Sequence, residues 1–232
     1  MSEIKLYNGD CLEVMDKLIA EGVKVDAIIT DPPYRTISGG RDEKFKKWEG
    51  SILEKNDGKI FEYNDVDHRE WLKRCYDILK DDTHIYIMTN LLNLFNLKSL
   101  AENVGFKIHN LLVWEKNNAV FNKWYMKNCE YTLFMYKGKA KFINNLGSKT
   151  VEQFINPINK LHPTEKPIGL MKLYCENSTN KNEIVLDPFM GSGTTGVACK
   201  ELNRDFIGIE LDSNYFNIAK ERIDNAKKQG LF

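Results

Sequence analysis

Val25-Asp26-Ala27-Ile28-Ile29-Thr30-Asp31-Pro32-Pro33-Tyr34 decides how the rest of the chain is read. Residues 25–30 form a nearly continuous apolar run, too short for a helix and stopped by Asp-Pro-Pro, which is how a strand buried on both faces of a parallel sheet reads. Upstream, the β-prone Ile4–Tyr7 ends at Asn8-Gly9-Asp10, and Leu12, Met15, Leu18 and Ile19 follow at helical spacing. Asp10 suits the N-cap of that helix, with Glu13 three residues on as in a capping box. A β-α-β unit is the expected start.

The alternation continues downstream. Helical periodicity spans about 66–79, a strand 83–89, and a helix about 91–104, with Gly105 suited to its C-terminus. Residues 107–115 and 130–137 both read as strands, and the dozen or so residues between them are too few for a crossover helix, so they should pair antiparallel as an edge hairpin. After an irregular stretch, 138–161, come a helix at 167–176, a strand at 183–187, a helix at 194–202, a strand at 206–210 and a helix at 215–227. The expectation is an α/β, doubly wound, mainly parallel seven-stranded sheet with six helices covering both faces.

At 232 residues, one domain with insertions is expected, the excursions lying at 35–65, 117–128 and 138–160. Hydrophobic residues make up 42% and charged residues 28%, and no apolar run approaches the ~18 residues of a membrane span. Residues 1–6 lack a secretory pattern, so a cytoplasmic location and no membrane partner are expected. The five cysteines stand singly, without CxxC or a His at ligand spacing, and read as reduced thiols, with no metal expected. Net charge is zero, yet residues 116–149 carry seven lysines against one acid, Glu130. That stretch is either a solvated basic face or, given the interleaved Phe121, Trp124, Tyr125, Tyr131, Phe134 and Tyr136, a nucleic-acid surface.

Two motifs fall just past strand carboxyl ends, where doubly wound sheets bind ligands. In Asp31-Pro32-Pro33-Tyr34 the prolines fix two φ angles and remove two N–H groups, leaving a stiff set of acceptors beside an aromatic ring. Such a set can receive an exocyclic amine; a plain turn is the alternative. In Asp187-Pro188-Phe189-Met190-Gly191-Ser192-Gly193-Thr194 a glycine turn opens a helix, and Glu210 ends the next strand. Backbone approach, a helix N-terminus for a carboxylate and an acid for ribose hydroxyls suit a nucleoside cofactor. Gly191, Gly193 and Gly196 also satisfy G-x-G-x-x-G, so a nicotinamide dinucleotide is a rival.

With Gly9-Asp10, the His162-Pro163-Thr164-Glu165-Lys166-Pro167 segment and Ile207-Gly208-Ile209-Glu210, these motifs make the chain resemble the DNA amino-methyltransferases of the circularly permuted beta class, in which the catalytic motif precedes the cofactor motif. The resemblance covers nearly the whole chain and leaves the nicotinamide rival with Asp-Pro-Pro-Tyr unexplained. It implies a Rossmann-like methyltransferase fold, S-adenosylmethionine as cofactor, and methyl transfer to an exocyclic amine in double-stranded DNA. The Asp in the first catalytic position implies adenine N6, with cytosine N4 the alternative. Asp31, Pro32, Pro33 and Tyr34 would be catalytic. Asp10 and Cys11 would lie by the cofactor adenine, and Glu210 and Leu211 by its ribose. Asp187 would meet the methionyl ammonium, Phe189 would pack near the transfer centre, and Gly191, Ser192, Gly193 and Thr194, with Thr164 and Lys166, would hold the methionyl carboxylate. His162 reads more simply as a loop residue. Arg35, Arg41, Lys46, Lys47, Lys123 and Lys127 are candidates for phosphate contacts. A homodimer and a cognate restriction endonuclease are further partners the resemblance suggests. Rival functions are a catalytically silent nucleic-acid-binding subunit and a methyltransferase acting on a protein or small-molecule amine.

Overall fold

Because residues 25–30 are nearly continuously apolar, their strand belongs in the middle of a covered sheet, and that is where the computed structural model puts it, with all six residues buried and the two polar ones, Asp26 and Thr30, hydrogen-bonded. The structure describes residues 2–33, 66–120, 124–157 and 165–227. The element order is β1 (Ile4–Asn8), α1 (Cys11–Ala20), β2 (Val25–Thr30), α2 (His68–Ile78), β3 (Leu79–Thr89), α3 (Leu91–Val104), β4 (Lys107–Val120), β5 (Lys127–Tyr136), β6 (Val151–Phe154), α4 (Ile168–Ser178), β7 (Ile184–Asp187), α5 (Thr194–Glu201), β8 (Asp205–Glu210) and α6 (Ser213–Asn225). The strands form one sheet in the order β1-β8-β7-β2-β3-β5-β4-β6. Among the described strands only β5 runs antiparallel to its neighbours.

Two details differ from expectation. The sheet has eight strands among the described residues, not seven, and the β4–β5 hairpin is not its edge. The added strand, Val-Glu-Gln-Phe, lies in the stretch read as irregular and pairs parallel with β4 from Val113↔Val151 to Lys116↔Phe154. Four residues, half of them polar, carry too little local pattern; tertiary pairing makes this segment a strand.

Alternation along the strands fills two cores. Ile28, Ile85, Ile87, Leu186 and Ile207 face α1, α2 and α3, with Trp71 and Leu72 between them. Ile29, Tyr86, Met88, Val185 and Phe206 face α4, α5 and α6. Helix ends follow the local chemistry. Asp10 caps α1, accepting from the Leu12 amide at 2.7 Å, and Gly105 closes α3 with φ 118°. All five cysteines are free thiols, four of them buried. No described helix is long and apolar enough to cross a membrane.

The site is positioned by the order of the central strands. From β7 the chain moves outward to β8, whereas from β2 it moves the opposite way to β3, so the β7–β2 pair is the point where the winding reverses. Helices then leave on opposite faces, opening a crevice at the carboxyl ends of these two strands.

Candidate active site

Strands β2 and β7 pair as Ala27↔Val185 and Ile28↔Leu186, which puts Thr30-Asp31 beside Asp187 and its glycine turn. A hydrogen bond closes the junction: Thr30 Oγ1 donates to Asp187 Oδ1 at 2.8 Å. Thr195 of α5 donates to Asp187 Oδ2 at 2.8 Å, and the Phe189 amide to Oδ1 at 3.1 Å. Asp187 is 4% exposed, so burial pushes its carboxyl up to about 7 even though these donors favour the charged form. It fastens β2, β7 and α5 beneath the crevice.

Asp31 lies one residue past this junction. Its Oδ2 meets Lys166 Nζ at 2.5 Å, while its Oδ1 is buried and accepts no hydrogen bond among the described residues. Burial drives this carboxyl upward, and the Lys166 ammonium opposes that shift. Pro32 is buried and Pro33 half-buried beside it. A buried acceptor without a donor costs about 1–3 kcal/mol, so it marks a place where a donor is to be supplied.

The glycine turn is held from two sides. Glu210 Oε2 accepts from the Gly191 amide and Oε1 from the Asp212 amide, both at 2.9 Å, which ties the end of β8 to the turn. Burial raises the Glu210 carboxyl, and these amides counteract it. Arg222 of α6 donates to the Ser192 carbonyl and to Ser192 Oγ at 2.7 Å, and its other terminal nitrogen meets Glu165 at 2.7 Å. Gly193 has φ +81°, and a Cβ there would stand 2.8 Å from the Ala219 side chain, so no other residue fits without moving α6. Gly193 is also the N-cap of α5 and provides no side-chain cap. The first turn of α5 therefore suits an anionic group, and the turn as a whole fits the carboxylate end of an amino-acid-bearing nucleoside.

At the neighbouring strand ends, the Gly9 amide donates to the Glu210 carbonyl at 3.0 Å, which brings Asp10 and Cys11 to the Glu210 side. Cys11 is buried, and burial pushes its thiol up to about 12; Leu211 is 42% exposed. Phe189 packs edge-on against Trp71 of α2 at 5.4 Å. Thus Asp10, Asp31, Asp187, Phe189, the Gly191–Thr194 turn and Glu210 gather at one edge of the sheet. Lys166, expected near the methionyl carboxylate, pairs with Asp31 and Glu130. Tyr34, Arg35, Arg41, Lys46, Lys47, Lys123, His162 and Thr164 lie outside the described residues.

The lysine-rich stretch does not form one face. Strand β5 reverses direction, so Lys116 and Lys127 stand toward the catalytic edge, whereas Lys137 is at the opposite edge, bonded to the Tyr76 and Leu79 carbonyls at 3.0 and 2.8 Å. Of the interleaved aromatics, Phe134 is core, Tyr131 and Tyr136 are half-buried, and Trp124 and Tyr125 are exposed. Sequence reasoning also missed Thr30, Thr195, Glu130 and Arg222. Only Glu130 carried a signal, as the single acid among seven lysines.

Residues 25–221 match the N6/N4 family of DNA methylases. The chain belongs to that family. It is 30% identical to the Type II methyltransferase M2.LlaDCHI of Lactococcus lactis subsp. cremoris over 97% of this chain and 91% of that protein. Against M2.DpnII of Streptococcus pneumoniae the identity is 30% over 94% and 89%. Among solved structures, the M1.HpyAVI-SAM complex superposes with TM-score 0.75 at 31% identity, over 96% of this chain and all of that one. The cytosine-N4-specific PvuII DNA methyltransferase, with TM-score 0.72 and 18% identity, shares the fold. As a DNA methylase, this protein is an S-adenosylmethionine-dependent DNA methyltransferase, which excludes the nicotinamide reading of the glycine turn.

Proposed function

We propose that this DNA methyltransferase methylates adenine N6 on a base swung out of duplex DNA, with Asp31 as the acceptor that holds the amine. The observation that carries this reading is the buried, donor-free Oδ1 of Asp31, next to the strand end that bears the glycine turn. A stacked base cannot reach a crevice between strand ends, so extrusion is required, at a cost of a few kcal/mol offset by backbone contacts. Asp at the first catalytic position, rather than another acceptor, favours adenine over cytosine N4.

S-Adenosylmethionine, when bound, supplies a methyl group on a sulfonium that leaves without acid catalysis. The protein's work is therefore orientation. Asp31 Oδ1 and the Pro32 carbonyl would each accept one amine proton, turning the nitrogen lone pair toward the donor. Tyr34 would stack on the base. Glu210 keeps unused lone pairs beyond those bonded to Gly191 and Asp212 and would accept the ribose hydroxyls. The Gly191–Thr194 turn would take the methionyl carboxylate, and Asp10 the adenine. Once the C–N bond has formed, the surplus amine proton passes to Asp31 or to solvent.

DNA would approach over the same edge of the sheet. The β4–β5 hairpin runs four residues beyond the last β3–β5 pair, Thr89↔Tyr131, to Lys127, and so projects roughly 14 Å at ~3.4 Å per residue. Its tip presents Trp124 and Tyr125, 78% and 94% exposed, to the solvent where a duplex would lie. A cognate endonuclease, a second copy of the chain and a cytoplasmic setting belong to the same proposal; the chain's similarity to Type II methyltransferases is what supports the first of these.

Long-read sequencing of DNA from cells expressing the chain tests this function. N6-methyladenine in a defined sequence is the expected mark; N4-methylcytosine would overturn the choice of base, and unmodified DNA with methylated protein would overturn the substrate.

A further inference from the structure

Four side chains of alternating charge run inward from the β4–β5 hairpin to Asp31. Lys116 pairs with Glu130 Oε1 and stands 4.9 Å from the Trp114 ring. Glu130 Oε2 is 3.3 Å from Lys166 Nζ, which reaches Asp31 Oδ2 at 2.5 Å. The side chains of Lys166, Asp31 and Glu130 are only 7%, 18% and 26% exposed. Burying such charges is expensive unless each is paired and hydrogen-bonded, and removing one member leaves its neighbour uncompensated. The chain continues from the catalytic strand to a strand two places away, which backbone packing alone does not require.

We infer that Lys166, fixed by Glu130, is a positioning residue for Asp31, occupying Oδ2 so that Oδ1 is the oxygen left to accept the base amine. This rests on the reading of Asp31 as that acceptor. A carboxylate free to rotate would present either oxygen in varied directions; one anchored through Oδ2 presents a single lone-pair set. The same contact maintains the charge state the reaction needs, because a protonated Asp31 would have one acceptor fewer. Burial and the Glu130 charge favour protonation of Asp31, Lys166 and, more remotely, Lys116 oppose it, and Asp187 is the other carboxyl facing it. Glu130 itself, despite its burial, is held at about 2 by Lys166 and Lys116, so it stays an anion throughout the working range.

The experiment is single-turnover methyl transfer to genomic DNA across pH, with S-adenosylmethionine affinity measured by calorimetry, for the full chain and for Lys166→Met, Lys166→Arg and Glu130→Gln. Lys166→Met should slow transfer about 100-fold at neutral pH, the scale set by losing one pre-organised group. Its acid limb should move up by about one pH unit or more, and cofactor affinity should hold. Lys166→Arg should restore most of the rate. Glu130→Gln should slow transfer without moving the acid limb upward, since the Glu130 charge opposes ionisation of Asp31. An unshifted acid limb with weakened cofactor binding in Lys166→Met would make Lys166 a cofactor clamp and overturn the inference, as would wild-type turnover in Lys166→Met or Glu130→Gln. If Asp31→Ala remained active, the acceptor reading itself would fall; if it is inactive, failure of the lysine variants sinks only the positioning role.

Discussion

Thr30 and Asp187, 157 positions apart in sequence, are joined by a 2.8 Å hydrogen bond from the threonine hydroxyl to the carboxylate. That bond locks the strand leading into the catalytic corner to the strand leading into the glycine turn. Replacing Thr30 with valine keeps the shape and deletes the donor. Because Asp187 Oδ1 retains the Phe189 amide, the expected loss is about 1–2 kcal/mol, readable as a lower urea midpoint with unchanged slope.

Asp187 also makes stability depend on pH. Its folded-state carboxyl is raised to about 7 from an ordinary 3.8, so below that ordinary value it is protonated whether the chain is folded or not. As pH rises from about 4 toward 7, the unfolded chain gives up this proton more readily, and its contribution to stability is lost across that window. Asp187→Asn should flatten the window, as denaturation midpoints at several pH values would reveal.

Glu210 offers a test of the cofactor side alone. Truncation to alanine removes the carboxylate from the Gly191 and Asp212 amides and from the ribose position. S-Adenosylmethionine affinity should fall by about 10-fold or more, as expected when charged hydrogen bonds worth ~1.5–3 kcal/mol are removed, while duplex affinity without cofactor stays unchanged.

The projecting hairpin offers the complementary test. Joint replacement of Trp124 and Tyr125 by alanine should weaken duplex binding by about 10-fold, a loss of ~1.4 kcal/mol, and leave cofactor binding intact. Lys127→Ala should reduce the slope of log affinity against log salt by about one, the mark of a lost phosphate contact. Fluorescence anisotropy on labelled duplex reads both.

What the sequence revealed is what short segments decide. The nearly continuous apolar run at 25–30 identified a central strand, Asp10 and Gly105 announced the ends of their helices, and the order of Asp31 and Gly191 pointed to the circular permutation. Longer-range relationships were hidden. Strand β6 exists through its pairing with β4, and Lys166 is drawn toward Glu130 by a strand more than thirty residues away. Arg222 braces Ser192 from a helix whose local pattern describes only an amphipathic surface. The lysines of 116–149 looked like one basic face because sequence spacing does not show that β5 carries them to opposite edges of the sheet.

The central claim is that Asp31 acts on the base and not on the cofactor. Asp31→Ala, assayed for methyl transfer to DNA and titrated calorimetrically with S-adenosylmethionine, addresses it directly. Transfer should drop by about 1,000-fold or more with cofactor affinity preserved; a variant that methylates DNA at the wild-type rate would contradict the account.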